Sequence, residues 1–81
     1  MKITHQLKIL PQHYKAIISG RKTYEVRNND RQFNEGDRVV LNEWNPGTEK
    51  KTGRSVTFII GTLYKITGTS VVVFSLLKEE E

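Results

Sequence analysis

Ser19-Gly20-Arg21-Lys22-Thr23-Tyr24-Glu25-Val26-Arg27 is the stretch on which the fold turns, because the hydrophobic spacing changes here from helical to extended. Upstream, Tyr14, Ile17 and Ile18 recur at helical spacing behind Pro11, whose missing N–H costs nothing at a first helical position. Gly20 follows at once as the natural residue for the left-handed turn that ends a helix. Arg21 and Lys22 then suit its negative end. From Lys22 to Arg27 the period becomes two. Tyr24 and Val26 share one face, read as the core face, while Thr23, Glu25 and Arg27 share the other. A short amphipathic helix thus leads into a strand crowded with charge.

Working outward, Lys2 to Leu10 alternates around Ile3, Leu7 and Ile9 and reads as a first strand. Asn28 to Gly36 is a polar loop of nine residues, long beside the usual hairpin length of about two to five. Its single large apolar residue, Phe33, is expected to pin the loop to the core. Long ordered loops in small domains are often binding loops. Arg38 to Asn45 is the third strand, with Val39 and Leu41 buried and Val40 a further candidate, and Asn45-Pro46-Gly47 has the order of a type II turn. Thr48 to Arg54 reads as an exposed hairpin tip. Ser55 to Ile66 is a long strand interrupted at Gly61, where a bulge is expected. Thr67 to Thr69 turns the chain into a last strand, Ser70 to Leu76. One helix and five strands suit a small β-barrel, closed or nearly closed and antiparallel, with the helix over an open end. Residues 1–78 form the domain, and 79–81 an acidic tail expected to fray.

Eighty-one residues hold one core and no second domain. The chain has no cysteine, so neither disulfides nor thiolate metal sites support it, and a reducing cytoplasmic setting fits. No apolar run nears the ~20 residues of a membrane span, and the N-terminus lacks the apolar centre of a signal peptide. The formal charge is +4, and it is uneven. Residues 1–38 hold eight Lys or Arg against four acids; residues 39–81 hold five against five, three of those acids being the last three residues. A basic body of this kind favours anionic partners, nucleic acid foremost.

Lys22, Glu25 and Arg27 are the strongest candidates for chemistry. Glu25 and Arg27 leave the same face of one strand, and Lys22 sits where the helix exit can turn it toward them. A carboxylate between two cations can bind a polar ligand by paired donors and acceptors; with a desolvated lysine it can also act as an acid–base pair. It can equally be an exposed ion-pair network of little energetic weight. Arg31, in the following loop, has the guanidinium geometry that binds phosphate bidentately. Asp30 beside it reads either as part of the cluster or as an Asx-turn residue. His5 and His13, with no partner at ligand spacing, do not suggest a metal, and His5 reads as structural. Trp44 stacks a base if exposed, and packs in the core otherwise.

Gly20-Arg21-Lys22-Thr23-Tyr24-Glu25-Val26-Arg27 fits the G-x-K-x-x-E-x-R signature of the ASCH domain, a branch of the PUA-like superfamily. Gly36-Asp37 before the third strand fits the family's Gly-Asp. The wider run from His5 through Asn29-Asp30-Arg31 to Glu43-Trp44-Asn45-Pro46 resembles a compact ASCH-like family of bacteria and phages. The resemblance implies a PUA-like barrel with a helix beside a cleft, the cleft lined by Lys22, Glu25 and Arg27. It also implies a role in RNA binding. Hydrolytic ASCH relatives act on acetylated cytidine through a lysine, a threonine and a downstream glutamate. Lys22 matches the lysine, but Glu25 stands in the threonine position, and the region supplying the glutamate has no counterpart.

The expected function is therefore RNA or nucleotide binding without a cofactor, with Lys22, Arg27 and Arg31 on phosphate and Glu25 orienting Arg27 or accepting from a base. A small amidohydrolase using Lys22 and Glu25 on an acylated nucleoside is one alternative. A protein-interaction module, using a strand edge and Trp44, is another.

Overall fold

The computed structural model describes residues 2–79. In chain order the elements are β1 (Thr4–Ile9), α1 (Pro11–Ile18), β2 (Tyr24–Asn28), β3 (Arg38–Asn45), β4 (Lys50–Lys65) and β5 (Val71–Leu77). The strands form one curled sheet in the order β1-β3-β4-β5-β2, a half-barrel with α1 at its open side. Residues of alternating parity on every strand turn inward. Leu7, Ile9, Val39, Leu41, Phe58, Ile60, Val72, Phe74 and Leu76 fill the concave side, with Ile17 from the helix.

Two features depart from a closed antiparallel barrel. β1 pairs with β3 in parallel, from Thr4 opposite Arg38 to Ile9 opposite Glu43. The sheet is also unclosed between its end strands β1 and β2. Both follow from connectivity: α1 and β2 intervene between β1 and β3, so the chain re-enters the sheet in its original direction, and β2 is carried away to pair with β5. What remains is a seam between two strand edges.

The helix exit matches the sequence reading. Gly20 has φ +82°, and the N–H groups of Gly20 and Arg21 bond the carbonyls of Ile17 and Ala16 at 3.1 Å each, a Schellman cap. The bulge at Gly61 is present as well. Ile60 lies opposite Leu76 but Leu63 opposite Phe74, so β4 carries one extra residue there. A Cβ on Gly61 would fall 2.5 Å from Ser75 Oγ, the hydroxyl that accepts the Thr62 N–H at 2.9 Å. The bulge thus needs the bare backbone.

The Pro46-Gly47 turn differs from expectation, because Gly47 is not in the left-handed region that a type II turn requires. Instead Asn45 Oδ1 accepts the N–H groups of Gly47 (2.8 Å) and Thr48 (3.4 Å), and Glu49 takes the left-handed conformation at φ 56°. The tip is thus residues 46–49, and Lys50 to Arg54 already belong to β4. The C-terminal segment is tied down as far as Glu79, which accepts from the Arg38 guanidinium, Nε at 3.1 Å; residues 80 and 81 lie outside the described part.

The long loop between β2 and β3 is anchored from inside. Phe33 is buried between His5 and Phe74, ring centroids 4.7 and 5.2 Å away, and its N–H bonds Asn29 Oδ1 at 2.9 Å. Asn29, not Asp30, supplies this turn's side-chain acceptor. Beneath it, buried Asp37 accepts from His5 Nε2 (2.8 Å) and from the backbone N–H groups of Asn34 (3.1 Å) and Ile3 (3.3 Å). Burial pushes the Asp37 carboxyl upward, but the His5 bond, the two N–H groups and the ring's charge when protonated outweigh it and hold the carboxyl below its ordinary range. A depressed folded-state value stabilises the fold at every pH above the ordinary aspartate value and is lost as pH falls through the lower one. Acid titration followed by circular dichroism is therefore expected to show stability falling below about pH 4. That dependence should be blunted in Asp37→Asn, which starts from a lower plateau.

Candidate functional site

The seam between β1 and β2 is where the predicted residues meet. The Schellman cap delivers Lys22 to it, with Arg21 and Lys22 N–H groups both on Ala16 O at 3.1 Å, so the position is fixed by the helix end. Thr23 O then accepts from Leu76 N at 3.0 Å and starts the β2 ladder. Register pairs Glu25 with Phe74 and Arg27 with Val72, residues of the inward set.

This register reverses the expected parity of β2. Glu25 is 3% exposed, whereas Tyr24 and Val26 are 48% and 52% exposed on the outer face. The apolar pair packs on the convex side, where Val26 lies opposite Val73 and Val73 opposite Tyr64. A carboxylate can take the inner position because its charge is compensated on both oxygens. Lys22 Nζ donates to Oε1 at 3.0 Å and Arg27 Nε donates to Oε2 at 2.7 Å.

Arg27 does a second thing. Its Nη2 donates to the main-chain carbonyl of Lys8 at 2.8 Å, so one side chain spans the gap that no strand ladder closes. On one side of this bridge lies a groove of about 490 Å³ lined by Lys8, His13, Lys22, Tyr24, Glu25 and Arg27, among others. On the other lies a depression of about 400 Å³ that shares Lys8 and Arg27 and adds Asp30 and Arg31. The structure therefore brings Lys22, Glu25 and Arg27 into one ion-paired unit and sets Arg31 one step further along the same seam.

One carboxylate against two cations leaves the unit positive, and Lys8, His13 and Arg31 add to that sign or to its donor supply. A lysine carries three N–H donors and an arginine five, so the bonds to Glu25 and to the Lys8 carbonyl leave donors of both side chains for a ligand. Such a site suits an oxyanion such as phosphate. Three lining residues escaped the sequence reading. Lys8 enters through its carbonyl and position, which carry no sequence signal. Tyr24 was assigned to the core by parity. His13, exposed on the first helical turn, has no partner at ligand spacing in the sequence to single it out.

A second buried carboxylate was also missed. Glu43 is 1% exposed, and its Oε1 accepts from Thr52 Oγ1 (2.6 Å) and from Arg54 Nε (2.8 Å). The Thr52 hydroxyl lowers the Glu43 carboxyl from its ordinary range; burial opposes this, and Arg54 and Lys15 reinforce it. The signal was available, since Glu43 continues the inward parity of Val39 and Leu41. With one carboxylate oxygen taken by a hydroxyl and a guanidinium, this cluster ties the base of the β3–β4 hairpin together.

Residues 4–74 match the family described as Domain of unknown function (DUF3850), and the chain belongs to that family. It is also similar to an uncharacterized 12.9 kDa protein in the GpA 3′ region of Escherichia phage P2, at 35% identity over 52 residues. That match covers 64% of this chain and 46% of the phage protein, so the aligned part is about half the length of that relative. No helix among the described residues is long and apolar enough to cross a membrane.

Proposed function

We propose that this member of the DUF3850 family is an RNA- or nucleotide-binding module of the ASCH type, within the PUA-like superfamily. The ligand's phosphates lie in the seam groove. The observation that carries the reading is the Lys22–Glu25–Arg27 unit held at an unclosed edge of the sheet. A buried carboxylate there holds two groove-lining cations, and each keeps donors that its bonds to Glu25 and the Lys8 carbonyl do not use. Stability alone is a weak reason for a buried ion pair, since packed apolar residues often serve as well. Arg31 extends the positive line along the seam to a second phosphate position. Glu25, with both oxygens occupied by cations, acts as a positioning residue. The hydrolytic reading has less support, because Glu25 stands where hydrolytic relatives need a hydroxyl.

Fluorescence anisotropy with short labelled RNA, repeated across salt concentrations, tests this. Affinity is expected to fall steeply with salt, and Lys22→Ala with Arg27→Ala should lower it roughly tenfold or more. The double change should also flatten the log–log salt slope by about 1.4, two phosphate contacts on a single strand. Lys22→Ala and Arg31→Ala singly serve if the double variant is unfolded. Unchanged affinity in folded variants would sink the proposal.

A further inference from the structure

Apart from Thr52 and Arg54, which compensate buried Glu43, the β3–β4 hairpin arm contributes little to the fold's own stability. Residues 45–55 are all exposed, so the arm covers no core. It is nevertheless well defined, with Asn45 paired to Lys50, Trp44 paired to Lys51, and the Asn45 side chain closing the tip. Its charge leans positive: Lys50 and Lys51 against Glu49 among residues 45–55, with Arg54 paired to Glu43. Locally fixed, exposed segments that bury little are where binding residues concentrate.

The arm is also continuous with the seam. Lys8 lines both the groove and the neighbouring depression, and its Nζ lies 4.0 Å from the centroid of the Trp44 ring at the arm's base. Trp44 is half-buried, so part of its indole faces solvent. Direct cross-strand partners share a face, which puts Lys51 beside Trp44 on the outer surface. At the other end of the groove Tyr24 stands 48% exposed, with Lys22 Nζ 5.7 Å from its ring centroid. The result is an alternation of aromatic rings and lysines: Tyr24 with Lys22, then Arg27, then Lys8 with Trp44 and Lys51.

From this alternation we infer that the ligand is a single-stranded polynucleotide of several residues, which leaves the seam groove over Lys8 and stacks a base on Trp44. Rings supply a sequence-tolerant face for bases, and the interleaved cations follow the backbone between them. A mononucleotide would fill the groove and leave Trp44 and Lys51 without a ligand contact. The inference rests on the seam being the anion site, and it adds the arm as a second contact zone.

Trp44 is the chain's one tryptophan, so its fluorescence reports the contact directly. The experiment titrates the full chain with a mononucleotide, with oligoribonucleotides up to about eight residues and with a duplex of the same sequence. Affinity should rise with single-strand length, and only the longer strands should quench Trp44. Trp44→Ala should weaken the longest strand on the order of tenfold, with Trp44→Phe restoring much of the loss. Lys51→Ala should flatten its salt slope by about 0.7. Neither change should alter mononucleotide affinity. If the mononucleotide binds as tightly as the longest strand, or Trp44→Ala is without effect, the arm inference is overturned while the seam reading stands. Preference for the duplex overturns it too. If nothing binds at any length, the seam reading fails and takes the arm with it.

Discussion

Phe74→Ala is expected to destabilise the domain by about 3 to 5 kcal/mol in urea or thermal unfolding, the usual loss for a fully buried phenylalanine. Phe74 is 0% exposed and lies on β5 opposite both Glu25 of β2 and Leu63 of β4. Its ring also supports Phe33, the anchor of the loop before β3. Truncation therefore empties space under the seam and loosens the loop at once. A domain this small has roughly 5 to 10 kcal/mol in total, so the variant should sit near the threshold of folding. A loss under about 1 kcal/mol would mean that the half-barrel collapses freely around the gap, against the packing described.

Glu25→Ala should cost about 2 to 3 kcal/mol. Breaking a fully buried pair costs about 3 to 5 kcal/mol; here Lys22 and Arg27 are 18% and 24% exposed and recover part of their hydration. The melting temperature should drop by roughly 10 to 20 °C. Glu25→Gln separates charge from shape: it keeps an acceptor for one cation but removes the negative charge and one acceptor, so an intermediate loss is expected. Lys22→Ala should cost less than Glu25→Ala, because it leaves Glu25 still paired with Arg27. An equal or larger loss for Lys22→Ala would mean that Glu25 is not the centre of the unit.

Much of this architecture is legible in the sequence where the information is local. Gly20 as the helix cap, the bulge at Gly61, the anchoring role of Phe33 and the convergence of Lys22, Glu25 and Arg27 all depend on residues near one another in the chain. What escapes is decided at a distance. Parity reasoning assigned Tyr24 and Val26 to the core because it equates apolar with inward. At an edge strand beside an open seam, the inward face is polar and its charge is neutralised by neighbours. The same reasoning misses Glu43, whose acceptance in the interior depends on Thr52 and Arg54 from the next strand. The parallel pairing of β1 with β3 has no local signature, since it is set by where β2 goes.

The open seam also has a consequence for the order of assembly. β3, β4 and β5 follow one another through short connections, so their pairings close small loops. β1 must find a partner 34 residues downstream, Thr4 with Arg38, and β2 one as far as 51 residues away, Tyr24 with Ser75. Loop-closure entropy delays such pairings relative to local ones. The central meander can therefore form first, and the two strands that bound the seam dock onto its opposite edges later. Only when both have arrived can Arg27 reach the Lys8 carbonyl. On a growing chain, β2 waits for β5, whose Val71 follows its partner Asn28 across the whole β3–β4 meander. A competent groove thus forms only once β1 and β2 have both docked on the central meander.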